Sequence, residues 1–119
     1  MTDLSNSQLT NWAKRLSPNP DHILAIEEQI KEWEKKKELY NTAEDLEIID
    51  LQIGLRRARI EATNSELQVL QAYGNSDFDM MRDLSKSHTE ILDRITEIST
   101  KIRTARMLDS LVGGSGVWK

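Results

Sequence analysis

The chain has 119 residues, of which 30% are charged, and its formal net charge is −4. This length allows one domain, and the mild acidity argues against non-specific nucleic-acid binding, which needs a basic surface. There is no cysteine, which excludes a disulfide framework, a thiol nucleophile and a cysteine-type zinc site.

The first 20 residues predict a short amphipathic helix within residues 5–16, followed by a proline linker. Leu9, Trp12 and Leu16 have the i, i+3, i+7 spacing of a helix that docks into an apolar groove. That groove belongs either to a partner or to the long helices of the same chain. The polar stretch Met1–Asn11 is not expected to be a signal peptide.

A strongly helical segment extends from residue 21 to about residue 73. Thr42 and Asp45 resemble a capping box that would begin a new helix near residue 41. There is no Gly or Pro between Lys31 and Ile53, so the segment lacks the residues that most strongly favour a sharp reversal of the chain. We therefore predict a continuous or gently kinked helix rather than two helices.

Two apolar heptad patterns flank a turn at residues 74–77, Gly-Asn-Ser-Asp. The pattern predicts an all-α antiparallel helical hairpin over residues 21–109, with its final helix at about 76–108. The first pattern comprises Leu46, Ile49, Ile53, Ile60, Leu67 and Leu70, and the second comprises Met81, Leu84, His88, Ile91, Ile95, Ile98, Ile102 and Ala105.

The register of the hairpin follows from pairing these two patterns about the turn, so that Ile53 faces Ile98 and Ile60 faces Ile91. Charged residues agree with this register. The expected cross-hairpin pairs are Glu44 with Arg106, Glu47 with Arg103, Asp50 with Lys101 and Arg57 with Asp93. Each exposed pair contributes only a few tenths of a kcal/mol.

The middle helix carries a second apolar stripe, almost opposite the hairpin seam. Its principal members are Ile48, Leu51, Leu55, Ala62 and Val69. If residues 21–40 fold back over this stripe, the product is a monomeric three-helix bundle. If they continue straight, the stripe is buried between subunits. We predict the second arrangement, a homo-oligomeric helical bundle.

Two polar residues occupy core positions of the hairpin. His88, opposite Thr63, predicts a polar layer that fixes register, with a pH switch as the alternative; we expect His88→Leu to raise thermal stability. Arg56, opposite Ile95, is expected to be neutralised by carboxylates across the hairpin. No motif predicts a catalytic residue, a metal site, a cofactor or a small-molecule substrate.

Residues 110–119 predict a flexible glycine-rich tail. Val117 and Trp118 at its end look like an apolar anchor on a tether that can reach a neighbouring molecule. The alternative is a disordered or non-native extension.

These patterns predict a non-enzymatic structural or assembly protein that contacts neighbours through its terminal segments. Its expected partners are proteins, including its own copies, with no nucleic acid and no membrane, in the cytoplasm or in a virion assembled there. Phage neck or scaffold proteins and secretion-apparatus components are built in this way, but that is analogy of fold alone. The alternative is a small adaptor, inhibitor or chaperone that binds a client through the second stripe.

Overall fold

The computed structural model describes residues 3–118; Met1, Thr2 and Lys119, which belong to the predicted end segments, lie outside the described residues. The described chain is helical apart from its connections, so the predicted all-α class is confirmed. The helices are α1 (Asn6–Arg15), α2 (Pro20–Lys36), α3 (Ala43–Gly74) and α4 (Phe78–Leu111), followed by a 3₁₀ turn at Gly116–Trp118.

Helix α3 is the centre of the fold. Helices α2 and α4 both pack along it, and α1 and the C-terminal 3₁₀ turn also contact it. The described chain measures 53 × 30 × 19 Å along its principal axes. The packing of α3 against α4 agrees with the predicted hairpin.

The hairpin turn is formed by a left-handed residue after α3. Ser76 has φ of 55°, and its N–H donates to the Tyr73 carbonyl at 3.0 Å, while the Asp77 N–H donates to the Ala72 carbonyl at 2.9 Å. This is the Schellman arrangement, which satisfies the last carbonyls of a helix. The Asp77 side chain then accepts from the Met80 N–H and caps α4.

The prediction of one unbroken helix over residues 21–73 is wrong. Helix α2 ends at Lys36, α3 begins at Ala43, and α2 packs back along α3. The fold is therefore the alternative in which residues 21–40 cover the middle helix of the same chain.

The reversal occurs without Gly or Pro because other groups satisfy the helix ends. The N–H groups of Leu39 and Tyr40 both donate to the Lys36 carbonyl, at 3.0 and 2.9 Å. Thr42 Oγ1 accepts from the Asp45 N–H at 3.2 Å and caps α3. Tyr40 packs against the cluster of Ile48, Ile49, Ile53 and Val117, which holds the connection against the core.

Two contacts between α3 and α4 involve residues one or two positions from the predicted partners. His88 Nδ1 lies 3.3 Å from Ser65 Oγ, and Thr63 was the predicted partner. A Cβ placed on Gly54 would lie 3.9 Å from Ile98 Cδ1, and Ile53 was predicted to face Ile98.

None of the four predicted cross-hairpin ion pairs forms within residues 3–118. Helix α2 and the residue after it supply two of the partners instead, because Lys37 pairs with Asp50 at 3.0 Å and Glu34 pairs with Arg57 at 3.4 Å. Glu61 and Arg94 form an ion pair between α3 and α4, at 2.7 Å.

We expect Thr42→Ala to lower the free energy of unfolding by about 1 kcal/mol, because it removes the cap that begins α3 after the reversal. Chemical denaturation would measure the change. Thr96→Ala is the matched control, since Thr96 lies within α4 and its hydroxyl donates to the Leu92 carbonyl, a bond that adds little to helix stability. Equal effects of the two substitutions would contradict a capping role.

Candidate interaction surfaces

Helix α1 docks on its own chain. Leu9 and Ala13 are buried with Val69 and Ala72 of α3 and Met81 of α4. Trp12 and Leu16 pack against the same cluster. The predicted docking side of α1 therefore faces the hairpin turn of the same chain, and these residues form part of its core.

The entry to α1 is held by two local contacts. Ser5 and Gln8 form a reciprocal capping box, which satisfies two otherwise unpaired N–H groups at the start of the helix. The Arg82 guanidinium of α4 donates to the Leu4 carbonyl at 3.0 Å and to the Asn6 side chain.

The second apolar stripe is largely covered within the chain. Ile48, Leu55 and Val69 are buried, and Leu51 and Ala62 are half-buried. The stripe was predicted to need a neighbouring subunit because a straight helix over residues 21–73 would have exposed it to water. The return of α2 along α3 removes that reason.

The C-terminal tail, expected to be flexible, packs against the other end of the hairpin. Val117 has 0% exposure and packs with Ile48, Ile49 and Ile53. Its carbonyl accepts from Lys36 Nζ at 2.8 Å. The buried valine and this charged hydrogen bond fix the tail where glycine content alone predicted mobility.

Two further contacts hold the tail. Ser115 Oγ donates to Asp45 Oδ1 at 3.0 Å, and the Arg106 guanidinium lies 5.1 Å from the ring centroid of Trp118. Gly113 and Gly114 have φ of 104° and 83°, which a side chain would disfavour. These glycines turn the chain from α4 back toward α3.

His88 joins three helices. It is buried, its Nδ1 lies 3.3 Å from Ser65 Oγ, and its Nε2 lies 3.9 Å from a Glu66 carboxylate oxygen. Its ring centroid lies 5.8 Å from that of Trp12. The polar contact with Ser65 joins α4 to α3, and the register-fixing role that the sequence predicts for this polar layer stays a prediction.

Arg56 faces α2 rather than α4. Its Nε donates to Gln29 Oε1 at 3.0 Å, and its NH1 donates to Gln52 Oε1 at 2.7 Å. Burial, and then the charge of Arg59, lower the pKa of the Arg56 guanidinium, which still remains protonated at neutral pH. The guanidinium also lies 5.5 Å from the Trp33 ring centroid, so Arg56 secures the α2–α3 contact.

An open groove of about 510 Å³ lies between the first half of α3 and α4. Helix α3 contributes Leu46, Leu51 and Gly54 to it, and α4 contributes Ile98. Glu47 and Asp50 also line this groove and add negative charge. We call it the α3–α4 groove; Ala43 completes its lining.

The last turns of α4 expose an apolar ridge. Its four members are Met107, Leu108, Leu111 and Val112, with exposures of 60%, 58%, 76% and 83%. Leu111 follows Met107 by four residues and Leu108 by three, so these three lie on one side of α4, and Val112 is the C-cap residue directly after them. Apolar surface concentrated in this way is typical of protein contact sites.

The α4 ridge is absent from the predicted interface because Met107, Leu108 and Leu111 fall outside the heptad seam, which was predicted to end at Ala105. The available signal was the apolar pair Met107–Leu108 repeated one turn later as Leu111–Val112. Such a repeat off the seam predicts a second apolar side of the helix.

No family model, curated protein or solved structure matches the chain. None of the helices described over residues 3–118 combines the length and apolar character needed to cross a bilayer. The same residues contain no group of three or more His, Asp or Glu side chains placed to hold a metal ion. The Asp45 and Asp50 carboxylates of α3 contact Ser115 and Lys37 respectively.

We expect the double variant His88→Leu/Ser65→Ala to have a free energy of unfolding about 1 kcal/mol higher than that of the native chain. Replacing both partners of a buried polar pair with apolar groups leaves neither partner unsatisfied. Chemical denaturation of the double variant and both single variants gives the coupling between the two side chains. A double variant less stable than the native chain would show that the polar pair stabilises the core.

We expect Val117→Ala to lower the free energy of unfolding by about 1–2 kcal/mol, since it removes buried methyl groups from the core. Val112→Ala makes the same chemical change at an exposed position five residues earlier and should change it by less than about 0.5 kcal/mol. Thermal and denaturant unfolding of both variants would test this, and equal values would place Val117 outside the core.

Proposed function

We propose that this chain is a non-enzymatic structural or assembly protein that binds protein partners, including its own copies. The observation that carries the proposal is the exposed α4 ridge beside an open apolar groove. Four large apolar side chains at the end of one helix are costly to leave in water, at about 25 cal/mol for each Å². Contact with another protein would remove that cost.

The rest of the chain supports a role as a rigid support for this surface. The core is completed by α1, α2 and the tail, and α4 is tied to α3 by Glu61, Ser65 and the turn. A surface held on rigid helices loses little conformational entropy on binding. We place this role in the cytoplasm, or in an assembly built there.

An adaptor that offers its surface to a different client protein is the second candidate. The second apolar stripe as a whole is not available to a client, because Ile48, Leu55 and Val69 are buried. The α3–α4 groove leaves Leu51 and Ile98 accessible at its walls, and it is the surface that favours this candidate.

Light scattering across a concentration series tests the proposal. We expect a mass above the 13.7 kDa of one chain, and we expect Leu108→Glu to reduce it. Leu24→Glu is the matched control, because Leu24 has 64% exposure on α2 and Leu108 has 58%. A monomer at every concentration that binds a hydrophobic dye would favour the adaptor, and a monomer that binds none would overturn both candidates.

A further inference from the structure

We infer that the α3–α4 groove of one copy receives the α4 ridge of a second copy, in a reciprocal two-fold contact. This inference rests on the proposed assembly function and names the surfaces that perform it. In such a contact each copy contributes one ridge and one groove, as two-fold symmetry requires.

The two surfaces match in length. The groove follows α3 from Ala43 to Gly54, which is about 16 Å at 1.5 Å per residue. The ridge with its preceding turn, residues 103–112, is about 14 Å long by the same rise. Each therefore extends over about three helical turns.

The floor of the groove is open at Gly54. Gly54 has no side chain, and the methyl group that an alanine would place there meets only Ile98 Cδ1 at 3.9 Å. The walls formed by Leu46, Leu51 and Ile98 are apolar and so suit the leucine, methionine and valine side chains of the ridge.

The charges of the two surfaces are complementary. Glu47 gives the groove a negative charge, since the other acidic residue of its lining, Asp50, is paired with Lys37. Arg103 precedes Met107 by one helical turn and so lies on the same side of α4 as that residue. Glu47 and Arg103 each lack an ion-pair partner among residues 3–118. The opposite charges that the hairpin leaves apart within one copy can meet between two copies.

A charge exchange between copies tests the inference. Glu47→Arg and Arg103→Glu are both substitutions at exposed positions, so both variants should fold. Each variant alone should raise the dimer dissociation constant by about 3- to 30-fold, because like charges then meet at both contacts. An equimolar mixture of the two variants should recover native affinity, because each arginine then faces a glutamate.

Sedimentation or light scattering of the variants and their mixture gives the readout, and circular dichroism checks that each variant keeps native helicity. Arg59→Glu, an exposed arginine of α3 outside the groove, is the matched control and should leave the dissociation constant unchanged. No recovery in the mixture would overturn the groove–ridge contact.

The proposed function and this inference fail in different ways. If Leu108→Glu dissociates the assembly but the charge exchange has no effect, self-association stands and the groove is not where the ridge binds. If the native chain is a monomer at every concentration, both the self-association and this contact are excluded.

Discussion

The fold depends on the return of α2 along α3. Ile30, Trp33 and Tyr40 then pack against Ile48, Ile49 and Ile53 in one cluster. Burying a large apolar side chain contributes about 1.5–3 kcal/mol, whereas a backbone hydrogen bond lost at a helix break costs about 0.5–1.5 kcal/mol. The Thr42 cap and the hydrogen bonds of the tight turn before it replace some of the lost backbone hydrogen bonds. Burial of several side chains therefore outweighs continuity of the helix.

The same cluster explains why the tail is ordered. Val117 enters the cluster formed by α2 and α3, and Lys36 at the end of α2 donates to its carbonyl. A straight α2 would remove Trp33, Tyr40 and Lys36 from this site and leave the tail without its partners. The reversal at residues 37–42 thus brings both α2 and the C-terminal tail into the same core cluster.

Heptad spacing was sufficient to predict the all-α class and the packing of α3 against α4, because the apolar periodicity is long and regular, but it did not predict the break between α2 and α3. It could not determine the register, since stripes of similar residues fit almost equally well after a shift of one or two positions. His88 shows this, because its ring nitrogen contacts the hydroxyl of Ser65, two residues from the predicted partner Thr63. The predicted partners of Asp50 and Arg57 were wrong because α2 was predicted to continue straight, whereas its return brings Glu34 and the following residue Lys37 to α3.

The return of α2 also explains why the second stripe is not the exposed surface that the sequence predicted. The second stripe implied a neighbouring subunit only while α2 was straight, and the returning α2, α1 and tail supply that cover within the chain. The core clusters described over residues 3–118 are therefore formed within one copy. The surfaces that we propose for association are the α4 ridge, preceded by Arg103, and the α3–α4 groove, which contains Glu47. A contact of this kind depends on protein concentration and salt, in contrast to an obligate bundle whose subunits share one core.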